Sequence, residues 1–387
     1  MSLVTERLNW LDGVRAAAAS FVVLHHVWHL TWHDYPHNSG PWVLGWMLYG
    51  HLAVAVFIVV SGFSLALAPL RHEQRLRGGA RRFIRRRAWR IIPAYWAALA
   101  LSTVLFAVII SPETSGSTLV RSVVVHGLLI QDIIPSVDPN GAFWSIAVEW
   151  QIYFLFPVIL WVARRWSLMA AVTLTVSVVV GAHVLADTVS AFDGIHHLSP
   201  QFLALFAMGV LAAKAVTVSP TRIQRRRLAA TCIAILIAFV FAANTAGSAW
   251  IVDQYFWIDL VFGIATASFL AVVTAGGFPT ARRLLGSRPA VFIGGFSYSL
   301  YLMHGPLLHS LNKLIVEPLA LPKLAQFVGL VGIGVPLIFG LCYAFYLGFE
   351  KPFIAQRGSS AIREMPVVQA FHRLRRPSAP TPARARA

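Results

Sequence analysis

Residues Leu11 to Leu30 read LDGVRAAAASFVVLHHVWHL. A mostly apolar run of this length is what an α-helix needs to cross the ~30 Å hydrocarbon core of a bilayer. Yet Arg15, His25, His26 and His29 stand within it. Charged or imidazole groups on a membrane helix are costly in lipid, so they face the protein interior or a polar cavity. Eleven residues of helix make three turns and a small remainder, which places Arg15 and His26 on nearly one face, roughly 16 Å apart along the axis. At 100° per residue His29 and His33 fall within about 40° of the same line, whereas His25 points roughly 80° away. Arg15 and His26 are therefore the first candidates for chemistry, imidazole being the usual general base near neutral pH. The plainer reading is helix-packing glue, with His29 and His33 lying at the membrane surface.

Composition supports a membrane setting. The 387 residues are 57% hydrophobic and only 12% charged, with a mean hydropathy of +0.68. Soluble domains carry roughly 25% charged residues. The net charge of +17 does not point to nucleic acid, because the arginines lie in alternate gaps between apolar runs, as the positive-inside rule expects. Cys232 and Cys342 sit in separate apolar stretches with no C-x-x-C, so neither a disulfide framework nor a metal site is expected. No cleavable leader is expected either.

Ten apolar segments are expected to span, at about 11–31, 42–69, 91–110, 141–163, 167–186, 199–217, 229–246, 253–276, 290–311 and 324–349. The segment Leu119 to Ile134, with Arg121, His126, Gln131 and Asp132, reads as re-entrant or interfacial. Basic clusters at 71–90, 164–165, 222–227, 282–288 and after Lys351 belong on one side, which puts both termini in the cytoplasm. The chain thus reads as all-α: a polytopic membrane domain over 1–355 and a basic, Pro/Ala/Arg-rich tail over 356–387 that is expected to be disordered. The absence of an internal repeat weakens a transporter built from duplicated halves.

Other polar stripes interrupt the apolar runs. In RRFIRRRAWRIIPAYW, Arg87 and Arg90 are spaced i, i+3 and can grip a phosphate through their planar forks, although arginines after a span also hold topology and touch lipid headgroups. In NGAFWSIAVEWQIYFLFP, Ser145, Glu149 and Tyr153 recur at i, i+4, i+8, and an intramembrane carboxylate needs a partner. In GGFSYSLYLMHGPL, Ser297, Tyr301 and His304 form a further stripe; interhelical hydrogen bonds alone would explain Ser297 and Tyr301, while for His304 packing and chemistry both stay open. Ser61-Gly62-Phe63 is a small-residue break that permits close helix approach, and no adjacent base marks Ser61 as activated.

Taken together, LDGVRAAAASFVVLHH, FIVVSGF, RAWRIIPAYW, NGAFWSIAVEWQIYF, FSYSLYLMHGPL and FEKPF resemble, in this order over about residues 8–355, the acyltransferase 3 family of integral-membrane O-acyltransferases. The resemblance implies transfer of an acyl group, most commonly acetyl, from cytoplasmic acyl-CoA to a hydroxyl of a glycan or other hydroxylated acceptor. It implies a catalytic role for Arg15 and His26, a donor-binding role for Arg87 and Arg90, and a site role for Trp144, Ser145 and Glu149. Glu149 would orient His26 or balance Arg15, and His25, Tyr153, Tyr301 and His304 would support the site. Ala55 stands where the family often has an acid, and His25 where an aromatic is common. No SGNH-type hydrolase domain is expected after the last span, which would make this the stand-alone form. The expected setting is the bacterial plasma membrane, with acyl-CoA as co-substrate, no metal and no nucleic-acid partner. The competing reading is a transporter or flippase whose polar stripes line a solute path; a third is an idle family member that serves in assembly.

Overall fold

The computed structural model describes residues 8–355, so the tail expected at 356–387 lies outside the described residues. Among the described residues there are helices and connecting turns and no strands. In chain order they are α1 (Asn9–Thr31), α2 (His51–Leu70), α3 (Gly79–Leu105), α4 (Gly116–Gly127), α5 (Phe143–Arg165), α6 (Leu168–Thr188), α7 (Gln201–Ala212) and α8 (Arg222–Thr245). There follow α9 (Gly247–Asp253), α10 (Tyr255–Thr274), α11 (Pro279–Leu285), α12 (Arg288–Gly295), α13 (Ser297–Leu311), α14 (Lys323–Gly329), α15 (Val335–Phe345) and α16 (Lys351–Ala355).

Seven of these rods are long and apolar enough to cross a membrane: α2, α3 with its extension to Ile110, α5, α6, α8, α10, and the continuous rod from Lys323 to Ile354. A bent pair, residues 190–198 with 201–216, turning by 46°, would make an eighth. The other expected spans coincide with helices that fall short for physical reasons. Arg15 and the histidines make α1 too polar, and α12 and α13 are two short helices broken at Phe296. The segment expected to be re-entrant is the twelve-residue α4 followed by turns, started by Ser115, whose hydroxyl accepts from the Thr118 N–H.

The polar α1 is not presented to lipid. It packs against α2, α11, α12, α13 and α14, and Val23, Val27 and Trp28 along it are fully buried. Two close crossings hold this centre together. At one, a Cβ on Gly62 of α2 would collide with the Phe206 carbonyl of α7, and a Cβ on Gly209 of α7 with the Val59 carbonyl of α2. At the other, Gly13 of α1 lies against the Leu285 carbonyl and Gly294 of α12 against the Asp12 carbonyl. Glycine is required where backbones approach this closely. By contrast α8 buries almost nothing; its apolar surface faces outward, and a capping box of Thr221 and Gln224 starts it.

The arginine clusters converge at one end of the bundle. Arg225 at the start of α8 donates to the Ala275 carbonyl just after α10 (3.0 Å). Arg90 in the first half of α3 approaches Glu350 near the end of the last rod (3.8 Å). Arg15 at the start of α1 reaches Ser64 near the end of α2 (2.7 Å).

Candidate active site

At the basic end lies a cavity of about 290 Å³ lined by Arg75, Arg77, Arg86, Arg87 and Arg90, with Ser64 and Phe353 among its other walls. No acidic side chain lines it among the described residues. Arg87 and Arg90 thus share one cavity, as their i, i+3 spacing requires. Arg87 also lies over the Phe83 ring, 5.9 Å from its centroid. Glu350, which is almost wholly buried, accepts from the Ser299 hydroxyl at 2.6 Å and the Ser299 N–H at 3.2 Å, and so holds its carboxyl group toward Arg90.

From this cavity a polar track runs inward along α2. Ser64 accepts from the Arg15 guanidinium, whose other nitrogen pairs with Asp12 (2.9 Å). One turn deeper, Ser61 meets the Tyr153 hydroxyl (3.3 Å), and Tyr153 donates to Glu149 (2.6 Å). One turn deeper again, the Phe57 ring touches Tyr301 edge-on (5.7 Å between centroids), whose hydroxyl bonds Ser145 (2.6 Å). Residues 64, 61 and 57 recur at helical spacing, so the three polar layers are stacked over roughly 10 Å of α2.

Next comes a histidine pair. The His26 and His304 rings meet edge to face with centroids 4.7 Å apart. His26 Nδ1 lies 2.9 Å from the Val22 carbonyl, and His304 Nδ1 lies 2.8 Å from the Tyr301 carbonyl and 3.1 Å from that of Leu300. A carbonyl can only accept, so each Nδ1 carries the proton, and each neutral ring keeps its Nε2 lone pair for another partner. His304 Nε2 is buried with no hydrogen-bond partner among the described residues. Asn140 holds this part of α13 in place, donating to the Leu302 carbonyl (2.6 Å) and to Ser102 (3.1 Å).

His25 is engaged differently. Its Nδ1 faces the Met47 carbonyl (2.7 Å) and its Nε2 faces His29 Nε2 (3.1 Å), so both ring nitrogens have partners. Trp144 faces away from the histidine pair; it stacks with His51 (5.9 Å, 5°) and Phe202. His51 in turn is bonded to the fully buried Asp259 (2.9 Å), which also accepts from Gln201 (3.3 Å).

Two expectations need correction. Glu149 makes no hydrogen bond to His26: it accepts from Tyr153 on its own helix, while its charge acts on Arg15, which bonds Asp12 and Ser64. His33 is not on the polar line of α1, because the helix ends at Thr31 and Trp32 is extended, leaving His33 exposed. Sequence reasoning also passed over Ser64, Asp12, Asn140, Glu350 and the His51–Asp259 pair. The cost of an acid in an apolar run, which singled out Glu149, applies equally to Glu350 and Asp259.

Apolar rods wrapped around a buried line of hydroxyl, guanidinium and imidazole groups make this a multi-pass membrane protein with a polar interior. The model of the acyltransferase domain family matches residues 8–347, and the chain belongs to that family: it is a membrane O-acyltransferase. It is 25% identical over 347 residues to Nodulation protein 10 of Rhizobium leguminosarum bv. viciae, covering 82% of this chain and 90% of that one. It is 24% identical to O-acetyltransferase OatA of Staphylococcus aureus (80% of this chain, 52% of the other) and to peptidoglycan O-acetyltransferase OatA of Listeria monocytogenes (77% and 49%). The chain therefore spans about half the length of those two relatives. No solved structure matches it.

Proposed function

We propose that this protein moves an acyl group, most simply acetyl, from acyl-CoA on the cytoplasmic side to a hydroxyl of a glycan or similarly hydroxylated acceptor at the far side of a bacterial plasma membrane. The observation that carries this reading is the alignment of three features. A cavity of five arginines opens at the basic end; its Ser64 wall bonds Arg15; and three turns along the same helix stands His26 with Nδ1 occupied and Nε2 available.

The positive-inside rule places the arginine-rich end in the cytoplasm, where CoA thioesters are found. Arg87 and Arg90 hold the CoA phosphates through charge-assisted hydrogen bonds. The pantetheine arm follows the stacked polar layers past Arg15, over a distance of roughly 16 Å that matches the rise from Arg15 to His26. His26 Nε2 takes the proton of the acceptor hydroxyl as its oxygen attacks the thioester carbonyl. The C–O bond forms, the C–S bond breaks, and the CoA sulfur leaves as thiolate and is protonated. In the variant route, Nε2 itself accepts the acyl group before passing it on. The names of the relatives, two of them O-acetyltransferases and one acting on peptidoglycan, favour acetyl and a glycan.

The test is a purified, tag-free protein in proteoliposomes given labelled acetyl-CoA on the basic side and glycan fragments on the other. Acceptor-dependent release of free CoA with label on the glycan is the expected result. Uptake of an unmodified solute with no CoA release would instead support a carrier.

A further inference from the structure

At the end of the bundle opposite the arginines, three side chains that play no part in the track above converge. His183 and Asp187 lie one turn apart on the last part of α6, and His196 comes from the helical turns at 190–198 that follow it. One ligand atom of each can be chosen so that all three lie within 4.8 Å of one another. His183 Nε2 is 3.5 Å from one Asp187 oxygen and His196 Nε2 is 3.2 Å from the other.

We propose that His183, Asp187 and His196 form a binding site for a single Zn²⁺ ion. The donor set is two imidazoles and one carboxylate, a combination suited to zinc and matching the three-ligand sites that leave a fourth position open. The spacing fits as well. In a tetrahedron with Zn–ligand bonds of about 2.0–2.1 Å, neighbouring ligand atoms stand about 3.3 Å apart. The His183 and His196 contacts of 3.5 and 3.2 Å are to different oxygens of Asp187, and the three ligand atoms lie within 4.8 Å of one another, so a small turn of the exposed Asp187 and His196 side chains brings them to that edge.

The ring of His183 is already held. It stacks on Phe256 of α10 (3.5 Å, 8°) and meets Trp257 edge-on (5.5 Å). His196 meets His183 edge to face at 5.2 Å. Half of the Asp187 side chain and over a third of the His196 side chain are exposed, so an ion can enter without unfolding the helix. Bound zinc would clip the end of α6 to the segment that leads, through the 46° bend, into α7. Its role is to brace the far end of the bundle, independently of the acyl-transfer reading.

The experiment uses the full chain, purified without a polyhistidine tag, stripped with chelator and titrated with Co²⁺ and then Zn²⁺. The expected result is one equivalent bound, with the visible absorption of tetrahedral Co²⁺, displaced by Zn²⁺, and a rise in the thermal midpoint when Zn²⁺ is restored. H183A and H196A should each weaken binding at least about tenfold. H196C, which keeps a zinc ligand, should restore binding, and H197A should behave as wild type. The variants are compared at equal monodispersity; if H183A fails to fold, the exposed His196 series and the chelated wild type carry the test. Absence of stoichiometric binding by the wild-type chain, or H196A binding as tightly as wild type, overturns the proposal.

Discussion

Replacing His26 by Asn separates the two roles proposed for one ring. The imidazole uses Nδ1–H to donate to the Val22 carbonyl at 2.9 Å and keeps Nε2 for chemistry. The amide of Asn can place its N–H near the Nδ1 position and preserve the bond to Val22, but it has no basic nitrogen. The substitution should leave folding close to intact while removing the base. General-base catalysis is worth about 10²–10⁴ in rate, or about 2.7–5.4 kcal/mol at 1.36 kcal/mol per decade. His304 lies 4.7 Å away but keeps its own Nδ1 on backbone carbonyls, so it cannot swing into the vacated position without losing them. The assay is initial-rate acetyl transfer in proteoliposomes at matched amounts of monodisperse protein, with thermal unfolding run alongside. H26N should fall at least about a hundredfold in kcat with its thermal midpoint near wild type, and H25N should retain far more activity. A rate for H26N within about tenfold of wild type would falsify the assignment of His26 as the base.

The arginine cavity makes a donor-specific prediction: R87A and R90A should each raise KM for acetyl-CoA by about 10–100-fold, while leaving transfer from acetyl-pantetheine, which has no nucleotide phosphates, unchanged. Equal losses with both donors would mean that these arginines only maintain the fold. At the α2–α7 crossing, G62A and G209A press a methyl group onto backbone carbonyls that no rotamer change can move, so each should lower stability by about 1–3 kcal/mol, read as a lower thermal midpoint. An unchanged midpoint would show that the helices can part freely. In the turns after α4, burial pushes the Asp132 carboxyl up to about 7, against about 3.9 when unfolded. Stability associated with its protonated form is complete below about pH 4 and is lost as pH rises toward 7. D132N should therefore raise the thermal midpoint at pH 8 and change it little at pH 4; the reverse order would refute the burial argument.

The separate residues of the site were legible wherever one cost argument applied. Arg15, His26, Glu149 and His304 stand in apolar runs, and a polar group there needs either a partner or a task. Helical spacing correctly put Arg87 and Arg90 on one wall and Ser145, Glu149 and Tyr153 along one stripe. What spacing could not supply was the partner on another helix. Glu149 seemed to have a choice of His26 or Arg15; the fold hydrogen-bonds it to Tyr153 and sets its charge near Arg15. His26 had no visible neighbour beyond its own helix, and the fold brings His304 to it across 278 positions of sequence. The expected absence of a metal rested on cysteine spacing alone, which says nothing about an i, i+4 His–Asp pair at the end of a helix.

From the sequence by itself came the apolar rods, their approximate limits, the alternation of arginine-rich gaps, the motif series of the family and the polar residues worth watching. These are local properties, set by the length of a bilayer crossing, the 3.6-residue period and the cost of a charge in hydrocarbon. The tertiary structure decided which polar groups meet. Glycines at the crossings let α2 sit on α7 and α1 on α12, and this close packing brings Ser64 to Arg15, Tyr301 to Ser145 and His304 to His26. Each helix carries its own stripe, but the rotation and depth at which two stripes face one another are set by backbone contact between helices far apart in the chain.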